Sequence, residues 1–147
     1  MSERATTRET PMAHGTLNAC FGCGDDNHAG LHLQFFVDDE QRVLCRVHLA
    51  RQFQGPPGHA HGGIIATLLD EAMSKAVRAQ GSTSMTRKIE IDYLRPVPSG
   101  AQLRIEGRVV RNEPRKHWSE ARILNEDGTV LAEAKGLFIE VRTSPKS

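Results

Sequence analysis

One segment of helical period, set among segments of strand period, constrains the fold of this chain most strongly. Apolar residues recur at i, i+1, i+4 and i+5 from Ile64 to Val77, and Gly81 ends the pattern. This broad apolar stripe predicts a helix with one buried face. It is the only convincing helix in the sequence, so its apolar face must pack against a sheet.

Segments of alternating apolar and polar residues lie on both sides of this helix. Residues 31–37 and 43–49 precede it, joined by an acidic turn, and alternation resumes at Lys88. The last two segments, 118–125 and 129–141, flank an Asn-Glu-Asp-Gly turn that is typical of a hairpin. A helix segregated from antiparallel strands predicts an α+β fold, with the helix on one face of a sheet of five to six strands.

Length and charge exclude several classes of function. With 19 Lys plus Arg against 18 Asp plus Glu in 147 residues, the formal net charge is +1, which gives no electrostatic footprint for nucleic acid or an anionic membrane. The longest uncharged apolar run, 64–69, is far shorter than the ~20 residues that span a bilayer. We expect a single domain at 20–142, a flexible N-terminal tail at 1–19 and a C-terminal tail at 143–147.

The N-terminal segment lacks the apolar core of a secretory signal, and Glu3 and Glu9 argue against a transit peptide. The three cysteines of the chain are Cys20, Cys23 and Cys45. In a chain without a signal they indicate a reducing compartment, so we expect a cytoplasmic protein.

Cys20 and Cys23 are followed by His28 and His32, a spacing that can be drawn as a Cys2His2 zinc site. However, His32 falls on the outward side of the predicted strand. No thioredoxin-like βαβ pattern surrounds the cysteine pair, which disfavours a redox role. We therefore favour a turn with incidental thiols and expect neither a metal nor a cofactor.

The loop that enters the helix is the most informative stretch for function. It reads Gln-Gly-Pro-Pro-Gly-His-Ala-His-Gly-Gly from Gln54 to Gly63, and the helix then carries Asp70 and Glu71. A helix that begins at Gly62 or Gly63 exposes unpaired N–H groups at the positive end of its dipole, where glycine lets a substrate oxygen approach. A lone His-Gly-Gly is more often a plain loop entering a helix, and helical projection does not choose between the two acids.

Several motifs, in order, resemble hot-dog-fold acyl-CoA thioesterases, in particular the phenylacetate-pathway-type branch. The matching residues are His61-Gly62-Gly63 with Asp70, the preceding Gly-Pro-Pro-Gly loop, the Cys-Phe-Gly-Cys-Gly turn at 20–24, Asn27 with Gly30-Leu31, and Met85-Thr86 running into 91–96. The resemblance spans residues 20–141 and implies a hot-dog fold, in which a sheet wraps a long central helix.

The resemblance also implies a thioester hydrolase that needs no cofactor. Asp70 would be the general base or the nucleophile, and both routes stay open. The Gly62 N–H would bind the thioester oxygen, and His61 would help to shape that oxyanion hole. Thr86 would hold the attacking water. One branch of the family has an Asn six residues before the motif His, where this chain has Gly55, so a contact from that Asn is not implied here.

Coenzyme A carries phosphates, which Arg and Lys usually bind. The candidate substrate-binding residues are Arg115 and Lys116 in a basic turn, Arg87 and Lys88 beside Thr86, and the loop glycines Gly58 and Gly63. For any one of the four cations, an exposed solvated charge is the more common explanation.

The spacing of the two main candidates requires more than one chain. Asp70 lies eight residues after Gly62, which on one helix is ~12 Å along the axis. One chain cannot bring both groups to within ~3 Å of a single carbonyl group, whereas two antiparallel helices around a two-fold axis can. We therefore expect a homodimer, or a dimer of dimers, that binds acyl-CoA at shared sites.

Two other functions compete with a thioesterase. A hot-dog dehydratase would need a catalytic His at the start of the loop, where this chain has Pro56 and Pro57. His59 and His61 lie too close to the helix acid to replace it, which disfavours a dehydratase. A non-catalytic acyl-CoA-binding protein is the alternative from another class, because a fold does not determine a function.

Overall fold

The computed structural model describes residues 8–13 and 18–141. Its elements are strands β1 (Glu9–Pro11), β2 (Phe36–Asp38) and β3 (Val43–His48), a 3₁₀ turn (Arg51–Phe53), helix α1 (Gly62–Ala79), and strands β4 (Ser84–Tyr93), β5 (Gln102–Glu113), β6 (Lys116–Leu124) and β7 (Val130–Glu140). The predicted C-terminal tail at 143–147 lies outside the described residues, as do 1–7 and 14–17 of the predicted N-terminal tail. No helix in the described ranges has the length and apolarity needed to cross a membrane.

The strands form one antiparallel sheet in the order β1-β2-β3-β5-β6-β7-β4. The described part of the chain has seven strands, more than the five to six predicted, and β1 lies within the segment predicted to be a tail. Thr10 lies opposite Val37 on β2, and the Arg46 guanidinium donates to both carboxylate oxygens of Glu9 at 3.1 and 3.2 Å. A strand of three exposed residues carries too little alternation to be predicted from its sequence.

The strand predicted at 31–37 is only partly formed, because β2 begins at Phe36. His32 has a φ of 52°, outside the extended region, and the Leu33 N–H donates to the Gly22 carbonyl at 2.9 Å. Leu31 and Leu33 are nevertheless buried. The alternation therefore predicted the buried side chains correctly, but the backbone bonds to a turn instead of a neighbouring strand.

Helix α1 packs across the sheet at the centre of the core, as its apolar stripe predicted. Its buried residues are Ile65, Leu68, Leu69, Ala72, Met73, Ala76 and Val77. A Cβ added to Gly107 of β5 would lie 2.5 Å from the Ala72 carbonyl oxygen, so the helix and this strand touch backbone to backbone. The Ser119 hydroxyl of β6 donates to the Met73 carbonyl at 3.1 Å. These contacts hold the helix in one position, with residues 70 and 71 at the margins of its buried face.

Strand β4 forms one edge of the sheet. It pairs with β7 along its length, and within the described residues no strand pairs with its other side. It is ten residues long, and Met85 and Tyr93 near its ends are 66% and 53% exposed. A long exposed edge of this kind is a template for pairing with another chain.

Candidate functional site

His61 caps the start of α1. Its backbone is extended, with φ −66° and ψ 135°, and its Nδ1 accepts a hydrogen bond of 2.9 Å from the Gly63 N–H. Its carbonyl oxygen accepts from the N–H groups of Ile64 and Ile65, both at 3.0 Å. Because Nδ1 accepts, the neutral imidazole carries its proton on Nε2.

This cap leaves one donor of the first helical turn unused. His61 accepts hydrogen bonds from the N–H groups of Gly63, Ile64 and Ile65. The Gly62 N–H has no partner among the described residues. The unused N–H lies at the positive end of the helix dipole. This arrangement suits an oxygen that becomes negative during a reaction.

Tyr93, which sequence reasoning missed, holds the same peptide unit. Its hydroxyl donates to the Gly62 carbonyl at 2.9 Å. The Gly62–Gly63 peptide is thus fixed at its oxygen by Tyr93 and at its nitrogen by His61. Tyr93 is the one tyrosine of the chain and ends an alternating segment. That alternation does not predict its contact with Gly62, the first residue of the helix, 31 residues earlier in the sequence.

Asp70 and Thr86 form the second part of the site. The Thr86 hydroxyl on β4 donates to Asp70 Oδ1 at 2.6 Å. An O–H···O⁻ bond of this length is charge-assisted and strong. Within the described residues Oδ2 has no hydrogen-bond partner, and no Lys or Arg forms an ion pair with this carboxylate. The carboxylate is therefore held at one oxygen and available at the other.

The structure separates the two acids that helical projection left equivalent. Glu71 packs against the turn that contains Cys20, whose Sγ donates to Glu71 Oε1 at 3.7 Å. A Cβ added to Gly22 in the same turn would lie 2.5 Å from Glu71 Cδ. Burial raises the pKa of Glu71, and the charge of Lys75 opposes this only in part. Glu71 is thus occupied by the N-terminal turn, and Asp70 is the acid that contacts β4.

Gly62 and Asp70 do not meet within one chain. Both lie on α1, eight residues apart, which corresponds to ~12 Å along the helix axis. Their contacts with β4 are also far apart, because Gly62 meets Tyr93 at the C-terminal end of that strand and Asp70 meets Thr86 near its N-terminal end. A single chain presents the two groups at opposite ends of one helix–strand pair.

The two loop glycines expected to bind substrate have structural contacts of their own. Gly58 has a φ of 81°, and its carbonyl accepts from the Ser99 N–H at 2.9 Å. The Gly63 N–H is used by His61, and a Cβ on Gly63 would lie 3.1 Å from His61 Nδ1. Glycine at position 63 therefore gives the imidazole cap the space that it needs.

The four expected cations are exposed. Arg87 and Lys88 lie on β4, where Lys88 Nζ is 3.5 Å from Glu90 Oε1. Arg115, with a φ of 65°, and Lys116 lie at the turn between β5 and β6. Lys116 pairs with Ile139, which pairs with Met85, so both groups lie towards the Thr86 end of the sheet.

The chain matches known proteins in sequence. The family model of the thioesterase superfamily matches residues 57–132. An acyl-coenzyme A thioesterase, THEM4, from Xenopus laevis is 32% identical over 111 residues, which cover 75% of this chain and 50% of that protein. The chain thus spans about half the length of the curated relatives that it matches.

The chain also matches solved structures. A thioesterase superfamily protein superimposes with a TM-score of 0.74 at 32% identity, covering 78% of this chain and 56% of that chain. A hypothetical thioesterase from Streptococcus pneumoniae, solved with coenzyme A, has a TM-score of 0.65 at 23% identity and covers 68% of this chain and 78% of that one. Two further matching structures of a hypothetical thioesterase from Streptococcus pneumoniae are single variants. In one an aspartate is replaced by alanine, and in the other a threonine is replaced by alanine.

Proposed function

Because the chain belongs to the thioesterase superfamily, we propose that it hydrolyses acyl-CoA thioesters to a free acid and coenzyme A, at sites built by two chains. The membership agrees with the resemblance in the sequence, and the helix-and-sheet architecture is the hot-dog fold that this resemblance implied. One observation carries the proposal: α1 presents at its N-terminus a Gly62 N–H that has no partner within residues 8–13 and 18–141, together with an Asp70 carboxylate held by Thr86. The substrate class is supported by relatives named acyl-coenzyme A thioesterase and by a similar fold solved with coenzyme A.

The Gly62 N–H serves as the oxyanion donor. When a nucleophile adds to the thioester carbonyl, negative charge develops on its oxygen, and an N–H at the positive end of α1 stabilises that charge. Tyr93 and His61 fix the adjoining peptide, so the donor needs little reorganisation as the charge develops. Loss of one such donor costs on the order of 10²–10³-fold in kcat.

Asp70 supplies the base or the nucleophile. The Thr86 hydroxyl donates to Asp70 Oδ1, which fixes the orientation of the carboxyl group. The same hydroxyl keeps lone pairs that can accept a hydrogen bond from a water molecule. In one route Asp70 takes a proton from that water, the water oxygen adds to the carbonyl, and the C–S bond breaks to release the coenzyme A thiolate, which is protonated to the thiol. In the other route Asp70 attacks the carbonyl and expels the same thiolate to form an anhydride, which water then hydrolyses to the free acid and the Asp70 carboxylate.

Two chains complete each site by pairing along β4. Antiparallel pairing of two such edges around a two-fold axis near the middle of β4 sets the Thr86 end of one strand opposite the Tyr93 end of the other. The two α1 helices then lie antiparallel on the same face of a continuous sheet. Asp70 of one chain thereby faces the helix N-terminus of the other, and each dimer has two equivalent sites.

The phosphates of coenzyme A are assigned to the exposed cations at the Thr86 end of the sheet. Arg87 and Lys88 on β4 and Arg115 and Lys116 at the β5–β6 turn lie on that side of the fold. Arg and Lys side chains form charge-assisted hydrogen bonds with phosphate oxygens.

The cysteines support a reducing compartment, and we retain the cytoplasm as the proposed location. Cys20, Cys23 and Cys45 are all free thiols in the structure. Cys45 is 1% exposed and has no cysteine with which to pair.

Thiol release from a panel of acyl-CoA thioesters tests the proposed function. The panel should vary acyl length and include thioesters of a carrier protein, with the Asp70→Asn variant as the matched control. We expect release of free coenzyme A by the wild-type protein and a loss of that release in the variant. Binding of acyl-CoA without hydrolysis across the panel would instead identify a non-catalytic acyl-CoA-binding protein.

A further inference from the structure

A group of three metal-ligating side chains lies beside α1, away from the Asp70–Thr86 contact. Cys20 and Cys23 come from the N-terminal turn and Glu71 comes from the helix; one ligand atom from each lies within 4.8 Å of the others. Cys23 is 4% exposed, and the other two are half-buried. The mechanism above uses none of these three groups.

The local backbone brings these atoms together. The Gly24 N–H donates to the Cys20 carbonyl at 2.9 Å, and the Cys20 N–H donates to Asn18 Oδ1 at 3.0 Å, so the turn folds back on itself. Gly22 lies against Glu71, where a Cβ would come within 2.5 Å of its Cγ and Cδ. A Cβ on Gly24 would lie 2.4 Å from the Asn18 carbonyl oxygen. The absence of a side chain at Gly22 and Gly24 thus allows the turn to pack closely on itself and on the Glu71 side chain.

We propose that Cys20, Cys23 and Glu71 bind a zinc ion, with water in the fourth position. Zinc prefers a tetrahedral arrangement of thiolate, carboxylate and water ligands, with Zn–S near ~2.3 Å and Zn–O near ~2.0–2.2 Å. Those bond lengths place neighbouring sulfur and oxygen ligands ~3.6 Å apart. The distance between Cys20 Sγ and Glu71 Oε1 is 3.7 Å, already close to that value.

Lys75 completes the charge balance of this site. Its Nζ donates to Cys23 Sγ at 3.2 Å. Zinc with two thiolates and one carboxylate has a net charge of −1, which the Lys75 ammonium neutralises. Hydrogen bonds to ligating atoms orient the ligands of protein metal sites. On binding, zinc forms a bond to each sulfur and the two thiol protons leave to solvent.

Zinc binding has a structural consequence. A cavity of about 210 Å³ lies beside the site and is lined in part by Asn18 and Lys75, both in contact with Cys23. The bound ion would join the 18–24 turn to α1 at the residue that follows Asp70. His28 and His32, the other zinc ligands that the sequence allows, are exposed and lie outside this group.

Zinc binding is measured on the full-length protein, reduced with a phosphine, in competition with a chromophoric chelator. We expect one zinc per chain for the wild type. Loss of a residue that only hydrogen-bonds to a metal ligand typically weakens metal binding by ~10–100-fold. Cys20→Ser or Cys23→Ser removes a ligand itself and should weaken zinc binding by more than this, and Glu71→Gln should weaken it by at least ~10-fold. The matched control is the double variant His28→Ala/His32→Ala, which should bind zinc as the wild type does. None of these readouts depends on the proposed hydrolase activity.

Cadmium provides a test that needs no variant. Titration of the reduced wild-type protein with Cd²⁺ should produce a thiolate-to-cadmium charge-transfer band that saturates at one equivalent per chain. If the cadmium titration gives no such band and the wild-type protein retains no zinc in the chelator competition, the proposal is overturned. Loss of zinc in the double histidine variant, with retention in Glu71→Gln, would assign the metal to the histidine site and equally overturn it.

Discussion

The Thr86 hydroxyl lies 2.6 Å from Asp70 Oδ1 and joins the exposed edge strand β4 to the central helix α1. The bond restrains one oxygen of the carboxylate and leaves the other available. It lies at the opposite end of β4 from the Tyr93 contact with Gly62. One edge strand therefore contacts both halves of the proposed site, and in the dimer that we propose a second copy of that strand brings complementary halves together.

Replacement of Asp70 by Asn should nearly abolish turnover, because an amide neither accepts the proton of water nor attacks a thioester. We expect kcat to fall by on the order of 10²–10⁴-fold while KM changes little. Asp127→Asn, in the exposed β6–β7 turn, is the control for loss of a surface carboxylate. Wild-type kcat in Asp70→Asn, together with loss of activity in Glu71→Gln, would assign the role to Glu71.

Replacement of Thr86 by Val removes the hydroxyl and nearly preserves the shape of the side chain. Because a hydrogen bond to a charged group contributes ~1.5–3 kcal/mol, we expect kcat to fall by ~10–100-fold. Thr86→Ser keeps a hydroxyl and should recover most of that loss. Steady-state kinetics with one acyl-CoA substrate make the comparison, and equal kcat values for the Val and Ser variants would contradict a role for the hydroxyl.

Replacement of Tyr93 by Phe should lower kcat by ~2–10-fold, because it removes a hydrogen bond that contributes ~0.5–1.5 kcal/mol to holding the Gly62 carbonyl. The ring that lies 3.8 Å from the Cβ position of Gly62 is retained. Tyr93 acts as a positioning residue, so KM should change less than kcat. An unchanged kcat would show that His61 holds the peptide without help.

Cys45 should make folding stability sensitive to alkaline pH. Burial raises the pKa of this thiol from 9.0 to about 11. Because the folded state keeps the proton to a higher pH than the unfolded state does, the contribution of Cys45 is complete below pH 9 and is lost as pH rises through about 11. The loss amounts to about 2 to 3 kcal/mol at most.

Urea unfolding of the wild type and of Cys45→Val across this pH range isolates that contribution. Other groups titrate alike in both proteins, so the difference between the two free energies of unfolding reports the thiol. We expect the wild type to lose stability relative to the variant as pH rises. Parallel stability curves for the two proteins would contradict the expected effect of burial.

Periodic patterns predicted the main elements because burial on one face leaves a periodic trace. The apolar stripe from Ile64 to Val77 lies within α1, and the segments at 118–125 and 129–141 correspond to β6 and β7. The short strand β1 left no such trace, since three exposed residues form it by pairing with a strand distant in sequence.

Contacts between distant segments decided what the periodicity left open. Asp70 and Glu71 are neighbours on one helix, and the packing of Gly22 against Glu71 distinguishes them. The Tyr93 contact with Gly62 likewise joins a strand to a helix start. Such contacts depend on the folded arrangement of the elements, so no local pattern in the sequence encodes them.

The Gly62 N–H can be removed with little other change. Proline lacks the N–H and is favoured at the first position of a helix. The extended backbone of His61, with φ −66° and ψ 135°, is the conformation preferred before proline. Gly62→Pro should therefore lower kcat by on the order of 10²–10³-fold. Gly62→Ala keeps the N–H, and its Cβ would lie 3.8 Å from the Tyr93 ring, so it should lose far less activity.

The activity of mixed dimers of Asp70→Asn and Gly62→Pro chains tests the shared site most directly. In such a dimer the first chain supplies an intact Gly62 N–H and the second an intact Asp70, so one of the two sites is complete and the other has neither group. We expect both parent homodimers to be nearly inactive and the purified mixed dimer to recover about half of the wild-type activity. Mixed dimers as inactive as their parents would contradict a site shared between two chains.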